Sequence, residues 1–169
     1  MAAQEIAAAL QRLKSVLQRR PQAGLHDDAA ATAHWDGGMR VIACHDNGTK
    51  VLTDMPRELG GSGDQVTPGW LLRAGFASCT ATCIGMAAAA EGIALQTLEV
   101  QARSRSDTRG MLGLAGVDGE PVNAGPRDMQ MLVRISAHGV SEQRLRVLVE
   151  ESYRCSTMAC ALEDRVPVA

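Results

Sequence analysis

Between Pro68 and Glu91 the chain has no further proline, and Arg73 is the one charged residue of that segment. Its glycines are isolated, Gly92 follows as a stop signal, and Thr67 precedes Pro68 as an N-cap, so the segment predicts a helix of about six turns. A helix that long and that poor in charge belongs in an interior, and the rest of the fold must be built around it. Leu72, Phe76, Cys79, Cys83, Met86 and Ala90 share one stripe, which is the expected buried face, while Ala74, Gly75, Ala77, Ser78, Ala81 and Gly85 offer small surfaces for close packing.

The flanking segments predict an α+β fold. Ile6, Leu10, Leu13 and Leu17 stand at helical spacing before Pro21, an amphipathic helix, and residues 21–33 read as a polar, Ala-rich connector. Met39–Cys44 and Lys50–Thr53 flank Asn47-Gly48, a hairpin signal, and the glycine-rich stretch from Pro56 to Thr67 reads as a loop. Leu98, Val100 and Ala102 alternate with polar residues, as do Met129, Met131, Val133 and Ile135, giving two strands joined by an irregular glycine-rich connection over 107–126. Ser141 caps a second helix that turns Leu145, Leu148, Val149 and Ser152 inward and reaches Cys155, and Val166–Val168 suit a final edge strand. At 169 residues, this is one domain's worth of chain.

Composition narrows the function. With 17 basic against 19 acidic residues, the near-neutral charge gives no electrostatic case for nucleic acid or a membrane surface. Trp35, Trp70, Phe76 and Tyr153 are the only aromatics, too few for base stacking, so a small molecule is the expected ligand. The abundance of small side chains makes a core shared between two copies attractive. No export signal and no long uninterrupted apolar run stand out, which makes the cytoplasm the expected compartment, where Cys44, Cys79, Cys83, Cys155 and Cys160 stay reduced.

The thiols admit three readings. Cys79 and Cys83, four apart on a helix, lie about 6 Å apart along its axis and share a face. They are small buried hydrophobes, or half of a four-thiolate metal site with Cys155 and Cys160, or part of a thiol peroxidase. A peroxidase needs a thiolate, a cation that lowers its pKa, and a second thiol that traps the sulfenic acid as a disulfide. His26, His34, His45 and His138 are isolated and suit solvated or hairpin-end roles.

Taken in order, Pro56-Arg57-Glu58-Leu59-Gly60-Gly61, Thr67-Pro68, the run LLRAGFASC from Leu71 to Cys79, Ser106-Asp107-Thr108-Arg109-Gly110 and a late Cys155 resemble the OsmC/Ohr family. The resemblance covers about residues 34–168 and leaves residues 1–22 as an N-terminal helical extension. It implies an OsmC-like α+β fold with antiparallel sheets around long central helices, in an intertwined homodimer with two equivalent interface sites. It further implies reduction of organic hydroperoxides to alcohols by a dithiol, with Cys79 peroxidatic, Cys155 resolving, and neither metal nor organic cofactor. An apolar pocket shaped by Trp70, Phe76 and Met86 would favour alkyl hydroperoxides, at about 0.8 kcal/mol per buried methylene.

Three positions depart from the family pattern. Arg40, in Gly37-Gly38-Met39-Arg40, stands one residue from the slot of the activating arginine; its rival Arg73 lies about 240° around the helix from Cys79. Gly69 replaces the glutamate that orients that arginine, so a carboxylate must come from elsewhere, with Glu58 and Asp54 as candidates, or the same dimer serves as a small-molecule or thiol-binding module. Ser156 replaces the proline that usually follows the resolving cysteine.

Overall fold

A computed structural model describes residues 3–164 of the chain. They form two units, residues 8–72 and residues 73–164 together with residues 3–7.

In the first unit, most of α1 (Ala3–Arg19) precedes a three-stranded antiparallel meander of β1 (Ala31–Trp35), β2 (Val41–His45) and β3 (Lys50–Thr53). The hairpin between β2 and β3 falls where Asn47-Gly48 predicts it. Gly48 takes φ +89°, the Asn47 side chain accepts from the Thr49 N–H at 2.9 Å, and His45 Nδ1 accepts from the Asn47 N–H at 3.0 Å. Strand β1 begins inside the stretch read as a connector and runs two residues past its end. Ala31, Ala33 and Trp35 alternate with Thr32 and His34, but all five residues are exposed, so no buried face goes with the alternation and the strand character comes from the backbone ladder to β2.

Beyond β3 the chain winds around Asp54, which is fully buried. Its two carboxylate oxygens accept from the Met55 and Ser62 N–H groups, each at 2.8 Å. Burial opposes its ionisation, but these amides and the Arg40 charge hold its pKa below the usual range. Only glycine fits at position 61, where a Cβ would lie 1.8 Å from the Met55 carbonyl oxygen. This loop delivers the chain to Thr67, whose hydroxyl accepts from the Trp70 N–H at 3.2 Å and caps α2 (Pro68–Ala90) as expected.

The second unit holds most of α2, which ends in a bond from the Ile93 N–H to the Ala88 carbonyl, with Gly92 at φ +69°. The long strands β4 (Leu95–Arg105) and β5 (Arg127–Ala137) pair antiparallel, with Leu98 opposite Ile135 and Val100 opposite Val133. The short helix α3 (Thr108–Met111) lies in their connection. Helix α4 (Glu142–Arg154) starts where the Ser141 hydroxyl accepts from the Arg144 N–H. A further helix, α5 (Thr157–Asp164), follows after two residues and was not legible beforehand; Val166–Val168 lie outside the described residues.

The core corrects the facing of α2. Its buried residues are Phe76, Thr80, Ile84, Ala88 and Ala89, a stripe about 100° from the one expected. Ile84 and Ala88 meet Leu145 and Leu148 of α4, with Leu98, Val100, Val133 and Ile135 of the sheet packed around them. On a helix apolar nearly all round, periodicity cannot say which side faces inward; the partners on α4 and the sheet decide it. By length and mean hydropathy alone α2 also suffices to cross a membrane, although its apolar residues form no long uninterrupted run; Thr80, Ile84, Ala88 and Ala89 of this helix are buried in the protein interior.

Candidate active site

The rotation of α2 puts Cys79 and Cys83 on the shoulder of the buried stripe, half-buried, beside Thr80 in the interior. The turn from α4 to α5 faces them. Cys155 is the C-cap of α4, and Ser156 starts α5, its hydroxyl accepting from the Ala159 N–H at 3.3 Å. The edge-to-face contact between Phe76 and Tyr153 ties this turn to α2, with ring centroids 6.2 Å apart. The Tyr153 hydroxyl in turn donates to Glu163 at 2.9 Å, linking α4 to α5.

Cys79 is the focus of this arrangement. Its Sγ accepts from the Ser156 hydroxyl at 3.3 Å and lies 3.4 Å from the Thr157 hydroxyl. The Thr80 hydroxyl donates to Ser156 Oγ at 3.4 Å, which leaves the Ser156 proton directed at the sulfur. Burial pushes the Cys79 thiol up, but the Ser156 and Thr157 hydroxyls and the Met158 and Thr157 backbone N–H groups outweigh it, and the pKa falls to about 7. The N-terminal end of α5 therefore supplies the donors a thiolate needs.

The other thiols differ. Cys83 donates to the Cys155 carbonyl at 3.6 Å, and burial, reinforced by Cys79, Cys155 and Cys160, pushes its thiol up. Cys155 and Cys160 are exposed, and Cys160 donates to the Arg154 carbonyl at 3.5 Å. Cys44 is on β2, in the first unit. Among the described residues no group of three or more histidines, cysteines and carboxylates is arranged to hold a metal ion.

Arg40 belongs to the first unit, where its guanidinium donates to Asp64 at 2.6 Å. The carboxylate paired with it is Asp64, while the Asp54 oxygens accept from loop amides. Arg73 donates to Ser104 on β4 at 3.3 Å. Of the proposed pocket residues, Trp70 and Met86 are exposed, whereas Phe76 is 3% exposed and packs as interior against Tyr153.

Ser156 and Thr157 are the site residues that sequence reasoning missed. Ser156 was visible as a departure from proline, but Cys-Ser-Thr ahead of Met158 and Ala159 is also a helix-start signal, and that signal carries the chemistry. Replacing Ser156 with Ala removes one donor to the thiolate and the cap of α5. The pH midpoint of Cys79 alkylation by iodoacetamide, near 7 in the wild type, is expected to rise by about one pH unit in Ser156→Ala. Alkylation accelerates as pH increases through that midpoint, because the thiolate is the nucleophile.

The family model for OsmC-like protein matches residues 61–169, a span that contains α2, both long strands and all four thiols of the second unit. The chain belongs to the OsmC-like protein family. Solved structures carry the same fold. An organic hydroperoxide resistance protein from Legionella pneumophila aligns over 82% of this chain and 90% of its own, with TM-score 0.59 and 21% identity. An OsmC-like protein from Mycoplasma pneumoniae aligns over 82% and 89%, with TM-score 0.67 and 17% identity. An OsmC-like protein of unknown function from Vibrio cholerae aligns over 80% and 94%, with TM-score 0.65 and 13% identity. No curated protein sequence matches this OsmC-like chain.

Proposed function

We propose that this OsmC-like protein reduces organic hydroperoxides to alcohols, with Cys79 as the peroxidatic thiol, Cys155 as the resolving thiol and a dithiol as the reductant. One observation carries the reading: the Cys79 sulfur meets the hydroxyls of Ser156 and Thr157 at the start of α5, and its pKa falls to about 7. About half of such a thiol is ionised at neutral pH, against a few per cent of an ordinary one. The names of similar structures, which include organic hydroperoxide resistance proteins, point the same way.

In the first step the Cys79 thiolate attacks the terminal peroxide oxygen. The S–O bond forms as the O–O bond breaks, the alkoxide leaves, and it takes a proton to become the alcohol. The Cys155 thiolate then attacks the sulfur of the Cys79 sulfenic acid, and hydroxide leaves as water. Cys155 directly precedes the two residues that bond the Cys79 sulfur and lies on the same α4–α5 turn. The dithiol reduces the disulfide and closes the cycle.

Arg40, with Asp64 as its oriented partner, is assigned as the activating cation. Trp70 and Met86, exposed on α2, are assigned to the alkyl part of the substrate, with Phe76 backing the site from the interior. The cytoplasm is the compartment in which this cycle is placed, since it keeps thiols reduced.

The exposed residues Ser78, Thr82 and Met86 recur every fourth position along α2 and carry no charge, a face suited to a second copy of the chain. Light scattering is expected to give twice the 17.9 kDa of one chain.

The reduced protein, mixed with cumene hydroperoxide and excess dithiothreitol, is expected to consume the peroxide, and Arg40→Gln to slow that consumption about 10²-fold. No consumption by the wild type overturns the proposal.

A further inference from the structure

We propose that Cys160 is a third redox thiol, which takes over the disulfide from Cys155 and frees Cys79 while the chain remains oxidised. The inference rests on the roles assigned to Cys79 and Cys155 above.

Its basis is the start of α5. With Ser156 as the cap, Cys155 is the residue before the cap and Cys160 the fourth residue of the helix. Side chains at these two positions meet across a helix N-terminus, the arrangement in which apolar residues clamp the entering chain. Cys160 folds back in that sense. Its thiol donates to the Arg154 carbonyl at 3.5 Å, above the peptide that leads into Cys155. Cys83 approaches the same turn from α2 through its bond to the Cys155 carbonyl, so the turn is ringed by thiols. Cys155 and Cys160 are both exposed, whereas Cys79 and Cys83 are half-buried.

The exchange balances without a further reagent. Cys160 loses its proton to solvent and its thiolate attacks Cys155 Sγ of the Cys79–Cys155 disulfide. A Cys155–Cys160 bond forms, the Cys79–Cys155 bond breaks, and Cys79 departs as thiolate. Thiol exchange proceeds faster with a leaving thiol of lower pKa, and the donors at the start of α5 make Cys79 that thiol. Cys83 is the poorer attacker, since burial and neighbouring thiols keep it protonated. The result is a disulfide carried from a half-buried position to an exposed turn, where a dithiol reductant has access.

The test treats the full chain with one equivalent of cumene hydroperoxide without reductant, alkylates free thiols in acid at successive times, and maps disulfides by mass spectrometry. The expected course is an early Cys79–Cys155 linkage that gives way to Cys155–Cys160 as Cys79 becomes alkylatable again. In Cys160→Ser the first linkage should persist. A wild-type chain that keeps the Cys79–Cys155 linkage with Cys160 alkylated overturns the relay. Diamide oxidation of Cys79→Ser supplies an arm that needs no peroxidase chemistry. A Cys155–Cys160 disulfide is expected there, and its absence overturns the pairing. If that disulfide forms while the wild type consumes no peroxide, the pairing stands but the peroxidase reading falls, and the relay falls with it.

Discussion

Cys79→Ser is expected to abolish peroxide consumption, with a loss of about 10³-fold or more that leaves only the uncatalysed reaction with dithiothreitol. The serine oxygen occupies nearly the same place and can keep bonds to Ser156 and Thr157, so the fold should survive. What disappears is ionisation at neutral pH and the polarisable sulfur that attacks the peroxide oxygen. Cys44→Ser, on β2 in the other unit, should match the wild type and controls for a general effect of removing a thiol. Assays over a range of pH add a second reading. The wild-type rate at low peroxide should rise with pH and level off above about 7, where Cys79 becomes fully ionised, and Cys79→Ser should show no such rise. If Cys79→Ser retains the wild-type rate, the nucleophile has been misassigned.

The largest effect on stability is expected from Leu148→Ala. Leu148 is fully buried on α4 against Ile84 and Ala88 of α2, at the centre of the second unit's core. Truncation removes apolar surface and leaves a cavity that two helices and a sheet cannot easily close, a loss of about 2–5 kcal/mol. For a chain of this length that corresponds to a thermal midpoint lower by about 5–15 °C. Leu132→Ala on β5 is the control. That side chain is 46% exposed, and its removal should change stability by about 0.5 kcal/mol or less. Near-equal midpoints for the two variants in thermal unfolding would show that the core is not organised around Leu148.

Much of the fold could be read from local signals. Pro68 with its Thr67 cap, the Gly92 stop, the alternation over Leu98–Ala102 and Met129–Ile135, and the Ser141 cap each mark an element where the structure has one. These signals succeed because they concern a residue's own backbone or its immediate neighbours. Strand β1 and helix α5 escaped for opposite reasons. The first is exposed throughout and exists through its ladder to β2. The second is eight residues long, too short to show a clear period, and it depends on the Ser156 cap and on packing of Ala159, which is almost fully buried.

The candidate site divides in the same way. The family resemblance singles out Cys79 and Cys155, whereas cysteine spacing pairs Cys79 with Cys83, and the donors that lower the Cys79 pKa come from residues 77 to 79 positions further along the chain. No local pattern encodes that meeting. It follows from α4 packing its Leu145 and Leu148 against Ile84 and Ala88, which aligns the α4–α5 turn with the first half of α2. The partner of Arg40 was likewise out of reach, because Asp64 arrives through a loop whose path is set by the buried Asp54 carboxylate.

By itself, then, the amino-acid order determined the central uncharged helix, its ends, the paired long strands and the family to which they belong. The tertiary structure alone decided which side of that helix is interior and which atoms surround its first cysteine. The physical reason is that capping and alternation are properties of neighbouring residues, whereas burial and thiolate stabilisation are set by distant segments brought together in packing.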